Sequence, residues 1–187
     1  PIEIKNKNLI IEPGSKLEFN KNTYIKIENG NLICEGTKLN PILLKGIGEN
    51  YWNGIKIINS KKTNIAHTNF YNLLNFENQL SNITGAINFY NSNVKIEDSL
   101  FDNSKAEDFI NFVSSKFIFV NNEINNTISD GIDADFSQGE IQSSRLTNVR
   151  GDGIDSSFSK IYANKNYLEN ISDKAFSIGE KSTVVID

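Results

Sequence analysis

Asp108, Asp130, Asp152 and Asp173 recur along the chain in steps of 22, 22 and 21 residues. A fixed period of about 20 to 30 residues is the signature of a solenoid, in which each repeat is one structural unit stacked on the next. This constraint comes before any chemistry, because it decides which residues distant in sequence become neighbours in space. Helical solenoids need repeats of roughly 33 to 47 residues and a 3.6-residue apolar period. Here β-branched and aromatic residues alternate with polar ones, and 29 of the 187 residues are Asn. Short runs with a two-residue period are half-buried strands. The pattern predicts an all-β chain: a single-stranded right-handed parallel β-helix of about 21–23 residues per coil, with one longer coil.

The coils align on their strand residues. Gly54-Ile55-Lys56-Ile57, Ala86-Ile87-Asn88-Phe89, Phe109-Ile110-Asn111-Phe112, Gly131-Ile132-Asp133-Ala134, Gly153-Ile154-Asp155-Ser156 and Lys174-Ala175-Phe176-Ser177 occupy equivalent places. Side chains alternate between the two faces of a strand. Ile55, Ile87, Ile110, Ile132, Ile154 and Ala175 are therefore expected to stack inward. Lys56, Asn88, Asn111, Asp133, Asp155 and Phe176 are expected to form an outward column. A second strand follows in each coil, as in Val94-Lys95-Ile96 and Phe117-Ile118-Phe119. After it comes a large apolar residue, any residue, then Asn: Asn72, Asn103, Asn126, Asn148 and Asn170. Asn tolerates left-handed backbone angles at a tight bend. Stacked there, the five amides are expected to form an internal hydrogen-bonded ladder from coil to coil.

The coil from Ile57 to Phe89 is longer than its neighbours, and the excess falls in residues 73–84. Insertions in solenoids map to loops, often on a binding face. The alternative for this loop is packing of Leu74, Phe76 and Leu80 over the flank. The reading is one β-helix domain over residues 1–187, with N-terminal coils in 1–53 and regular coils in 54–187. Val184-Val185-Ile186-Asp187 still reads as strand, so either further domains of the same protein follow as neighbours or another chain is expected to cover this end.

The net charge is −4, and Arg145, Arg150 and the scattered Lys form no basic stripe, so no nucleic-acid partner is expected. No apolar run reaches the ~18 to 20 residues that span a bilayer, so no membrane insertion is expected. Cys34 is the single cysteine and alternates with Leu32, which reads as a buried small residue.

The first 60 residues carry a recognisable pattern. Ile11-Glu12-Pro13-Gly14-Ser15-Lys16-Leu17-Glu18-Phe19, Gly36-Thr37, Asn40-Pro41-Ile42 and Tyr51-Trp52-Asn53-Gly54-Ile55 resemble the opening coils of secreted right-handed β-helix proteins. The resemblance is to the pectate-lyase-like superfamily, whose members include lyases, hydrolases, epimerases and non-catalytic adhesins. The run Ser172-Asp173-Lys174-Ala175-Phe176-Ser177-Ile178-Gly179-Glu180 resembles β-helix domains that accompany spore-coat CotH-like kinase domains in bacterial surface proteins. The resemblance implies an extracellular or cell-surface location.

Candidate chemistry concentrates in Asp130-Gly131-Ile132-Asp133-Ala134-Asp135 and Asp152-Gly153-Ile154-Asp155. Adjacent coils lie about 4.8 Å apart. Asp130 is then expected near Asp152, and Asp133 near Asp155, with Asp135 further along the same face. Like charges so placed recruit a counter-charge or share a proton. Asp130, Asp133, Asp152 and Asp155 are the candidate ligands of a hard cation such as Ca²⁺. Asp133, Asp135, Asp155, Lys174 and Arg150 are the candidate contacts for a polar ligand, a polysaccharide above all. The plainer alternative is that Asp130, Asp152 and Asp173 start their strands as turn residues. The Asp-Gly-Ile-Asp runs also resemble polygalacturonase motifs. That family's Asp-Asp pair is replaced here by Asp152-Gly153, and its downstream His-Gly and Arg-x-Lys are absent. His67, the one histidine, lies upstream near a corner. The leading expectation is a non-catalytic module of a secreted or surface protein, binding glycan or serving as a rigid scaffold. The alternative is a polysaccharide lyase or glycoside hydrolase acting around Asp133 and Asp155.

Overall fold

A computed structural model describes residues 1–78 and 81–187. These residues wind into a parallel β-solenoid of three long sheets, with eight, eight and seven strands. Each full coil contributes one strand to each sheet in turn. In the regular stretch the first sheet holds Gly85–Tyr90, Asp108–Val113, Asp130–Asp135 and Ile154–Ser157. The second holds Asn93–Glu97, Lys116–Val120, Gln138–Gln142 and Lys160–Asn164. The third holds Leu100–Ser104, Glu123–Thr127, Arg145–Val149 and Tyr167–Ile171. Each strand inside a sheet is paired on both sides, so unpaired edges remain only at the two ends.

The interior is a set of apolar stacks. Ile55, Ile87, Ile110, Ile132 and Ile154 pair in register and are buried. Aromatic rings stack between coils in the same way, as Phe70 on Phe101 at 4.9 Å and Phe89 on Phe112 at 5.2 Å. Trp52 is fully buried against Phe19, with ring centroids 4.2 Å apart. Cys34 lies in this core, and burial pushes its thiol up to about 12.

Two features of the register correct the sequence reading. There are two long coils, not one: Ile25 pairs with Ile55 as well as Ile55 with Ile87. The last coil is also shifted by one residue from the expected alignment. Ile154 pairs with Phe176 and Asp155 with Ser177. Phe176 thus continues the inner stack, and Ala175 is exposed. Burying a phenyl ring removes far more apolar surface from water than burying a methyl group, so the register follows Phe. In consequence Lys174, not Asp173, stands beside Asp152.

Left-handed backbone marks each bend. Asn59, Asn91, Ser114, Phe136, Phe158 and Lys181 turn the chain from the first sheet to the second. His67, Asp98, Asn121, Ser143 and Lys165 turn it from the second to the third. The residue after each of these turns inward and supplies a buried polar ladder. The N–H groups of Ser92, Ser115 and Ser137 donate to the Oγ of Ser115, Ser137 and Ser159 at 2.8–3.0 Å. At the other corner the Ser99 N–H donates to Asn122 Oδ1, and the Asn122 N–H to Ser144 Oγ. A left-handed turn rotates backbone groups out of the sheet ladder, and buried N–H groups need an acceptor. These side chains provide it.

Asn72, Asn103, Asn126, Asn148 and Asn170 share a third left-handed position, with φ of 55–65°. They lie on the outside, half-exposed or exposed, so the expected internal ladder belongs to the serines instead. Amide bonds join Asn103 to Asn72 at 2.7 Å, and Asn148 to Asn126 and Asn170 to Asn148 at 3.1 Å. The run is interrupted once. Asn126 donates to Asp102, and Asn103 Oδ1 accepts from the Tyr51 hydroxyl.

In the longer coil, Phe76 is fully buried and meets the edge of Tyr24 at 5.0 Å. Glu77–Asn78 pairs antiparallel with Ser81–Asn82. Leu80, expected beside Leu74 and Phe76, lies outside the described residues.

Candidate functional site

The outer face of the first sheet is acidic in its C-terminal half. Asn111, Asp133 and Asp155 stand in one column, and Val113, Asp135 and Ser157 in the next. Asp133, Asp135 and Asp155 are all half-exposed. Asp108 pairs with Asp130 at the start of its strand and is buried. Asp130 and Asp152 act on the backbone of the following coil. Asp130 Oδ1 accepts the Asp152 N–H at 2.8 Å, and Asp152 Oδ1 accepts the Lys174 N–H at 2.9 Å. Lys174 Nζ also lies 3.4 Å from Asp152 and 2.7 Å from Asp173. Arg150 is exposed and forms no ion pair among the described residues.

Four carboxyl groups of this sheet, Asp108, Asp130, Asp133 and Asp135, sit above the usual carboxylate range. Burial, followed by the neighbouring Asp108, Asp135, Asp155 and Asp130, pushes Asp133 up to about 8. Burial also pushes Asp108 up to about 6, against a hydrogen bond from Thr84. Asp130 and Asp135 move up as well, each chiefly through burial. Removing a carboxylate from water disfavours its charged form, and adjacent carboxylates add to the effect.

Three of the four candidate metal ligands converge. Oxygens of Asp130, Asp152 and Asp155 lie within 4.8 Å of one another, and Asp133 is not in this group. Each of the three already binds a backbone N–H; for Asp155 it is that of Ser156, at 2.7 Å. One oxygen of each carboxylate thus accepts a backbone N–H, which ties the trio to the fold. A hard cation such as Ca²⁺ takes six to eight oxygens. The trio fits one side of such an ion, with solvent or ligand oxygens completing it, while Lys174 competes for Asp152.

The second sheet carries a feature that the sequence reading missed. A groove of about 620 Å³ runs across its outer face. Along one side stand Lys61 and Lys62, then Asn93, Lys116, Gln138, Lys160 and Thr183, on successive coils. Along the floor stand Lys95, Ile118, Glu140, Tyr162 and Val185, also on successive coils. Ile118, Tyr162 and Val185 are 40%, 37% and 50% exposed, apolar surface left facing solvent and interrupted by Glu140 between Ile118 and Tyr162. Lys95 is paired with Glu97 at 2.6 Å. Among the described residues, Lys61, Lys62, Lys116 and Lys160 have no carboxylate partner. The signal in the sequence is the first residue of each second strand, read down the coils instead of along the chain.

No protein-family model matches this chain, and no curated protein matches it.

Proposed function

We propose that this chain is a non-catalytic β-helix module of a secreted or surface protein that holds a glycan along its flank. The observation that carries the reading is the groove of the second sheet. It crosses successive coils along the solenoid axis, so it offers a repeated set of contacts to a linear polymer. Exposed Tyr162 and Ile118 supply apolar surface for sugar faces, and the amides of Asn93 and Gln138 supply hydrogen bonds. Tyr is well suited to such a site, because it presents a large rigid surface with a polar tip. In this reading the chain is a pectate-lyase-like β-helix, akin to those beside CotH-like kinase domains, and acts as a rigid spacer between neighbouring domains. Affinity electrophoresis through gels containing soluble polysaccharides tests it. The protein is expected to be retarded by at least one polymer, with Tyr162→Ala restoring free migration. Free migration in every gel would remove the glycan and leave only the scaffold.

A second reading rests on the acidic face. A carboxyl group held protonated near neutral pH beside other carboxylates is the arrangement of a general acid with its partner. Asp133, with Asp155 on the next coil, meets that description. The chain would then be a polysaccharide lyase or glycoside hydrolase. Product released from a polysaccharide by the parent, and lost in Asp133→Asn, would favour this reading over the first.

A further inference from the structure

We infer that the groove of the second sheet takes an anionic glycan in which acidic and neutral sugars alternate. The inference rests on the glycan-binding reading above and adds the class of polymer.

The argument is one of spacing and charge. Along the side of the groove, cationic and neutral residues take turns. Lys61 and Lys62 share the first coil, Asn93 follows, then Lys116, Gln138 and Lys160. Both lysines fit one coil because Thr63 pairs with Val94 while the Asn93 N–H bonds the Ser60 carbonyl. Strands in a sheet are about 4.8 Å apart, so the cationic positions recur at roughly 10 Å. An extended glycan lying along the axis advances about one sugar per coil. A polymer with an acid on alternate sugars then meets an ammonium at each acidic unit and an amide at each neutral one.

The lysines are free to act. At physiological ionic strength charges ~10 Å apart are largely screened from one another, so each behaves as a separate point charge. A flexible ammonium is suited to that role. The neighbouring acidic face repels a polyanion, and Glu140, on the groove floor in the same strand as Gln138, keeps acidic sugars off that neutral coil.

Calorimetry with size-matched oligosaccharides tests the inference. The probes are hyaluronan, with a carboxylate on alternate sugars, polygalacturonate, with one on every sugar, and a neutral β-glucan. Hyaluronan is expected to bind tightest and to weaken as salt is raised. Lys116→Gln and Lys160→Gln are each expected to weaken it roughly two- to fivefold. Lys38→Gln, off the groove, should leave it unchanged. Gln138→Lys fills a neutral position and is expected to shift the preference towards polygalacturonate. Polygalacturonate binding the parent as tightly as hyaluronan would overturn the alternation. Salt-independent binding of the β-glucan alone would overturn the charge requirement. In both cases the glycan-binding reading survives. If hyaluronan binding is untouched by the groove variants, the assignment to this face is wrong. Loss of all glycan binding would sink both readings.

Discussion

The ring of Phe117 fills the space that a side chain at Gly139 would need. The two residues pair in register on adjacent coils of the second sheet. A Cβ placed on Gly139 would come within 2.1 Å of the Phe117 ring. That ring in turn stacks on Phe112 with centroids 3.9 Å apart. A large and a small residue thus share one cross-section of the core between two coils. Gly139→Ala is expected to destabilise the fold by about 1–3 kcal/mol, the usual cost of overpacking. Thermal or urea unfolding measures it, and an unchanged midpoint would show that the ring can swing aside.

The two polar ladders should respond differently to mutation. Ser137→Ala removes the acceptor of the Ser115 N–H inside the solenoid. A buried donor left without a partner costs about 1–3 kcal/mol. Asn126→Gly removes outer amide bonds at a surface position but keeps a residue that adopts left-handed angles freely. Its effect is expected to stay below about 0.5 kcal/mol, as for ordinary surface substitutions. Equal losses in the two variants would contradict the division between inner and outer ladders.

Stability should fall as the solution becomes alkaline. The unfolded chain ionises Asp133 near 3.9, whereas in the folded state the group is pushed up to about 8. Between these values the folded state holds more protons than the unfolded one, so stability declines as pH rises. The contribution is fully present below about pH 4 and gone once the pH has passed through about 8. The Tm is expected to drop between pH 5 and pH 9, and Asp133→Asn to flatten that drop. A parent Tm that rises across this range would reverse the sign.

Calcium should act through Asp130, Asp152 and Asp155 and not through Asp133. A titration is expected to give heat with the parent and none with an Asp130→Asn, Asp155→Asn double variant. Asp133→Asn is expected to retain the heat, since its carboxylate is not in the converging group. Binding to the folded state also raises the Tm, by an amount that grows with the logarithm of the ligand concentration above Kd. No heat and no rise in the parent would leave the trio as a set of backbone caps.

The apolar interior was the most readable part of the chain. Ile87, Ile110, Ile132 and Ile154 sit in two-residue alternation, and only one winding buries them all. The last coil misled because Asp173 continues the Asp period by eye, whereas Phe176 decides the register by burial. The serine ladder was not legible, since an isolated Ser looks the same inside or outside. Only its place, one residue beyond each left-handed turn, reveals Ser92, Ser115 and Ser137. The stacked Asn motif is legible as a column, but its reading as an internal ladder fails because the column is a surface seam. Asp133 and Asp155 could be paired by counting, but their proton affinity depends on burial that spacing does not encode. The groove stayed hidden because Lys116 and Lys160 are far apart in the chain and become neighbours of Gln138 only after winding.

The left-handed corner positions have a consequence for how such a molecule grows. They fix where each coil closes, and residues as unlike as Asn91, Ser114, Phe136 and Lys181 occupy them. The interior therefore accepts one more coil without a new solution for its bends. The surface does not share that indifference. A duplication placed between Lys116 and Lys160 would move every later lysine from an even step to an odd one. Ancestral lengthening by a single repeat would keep the fold and rewrite the order of charges a partner meets.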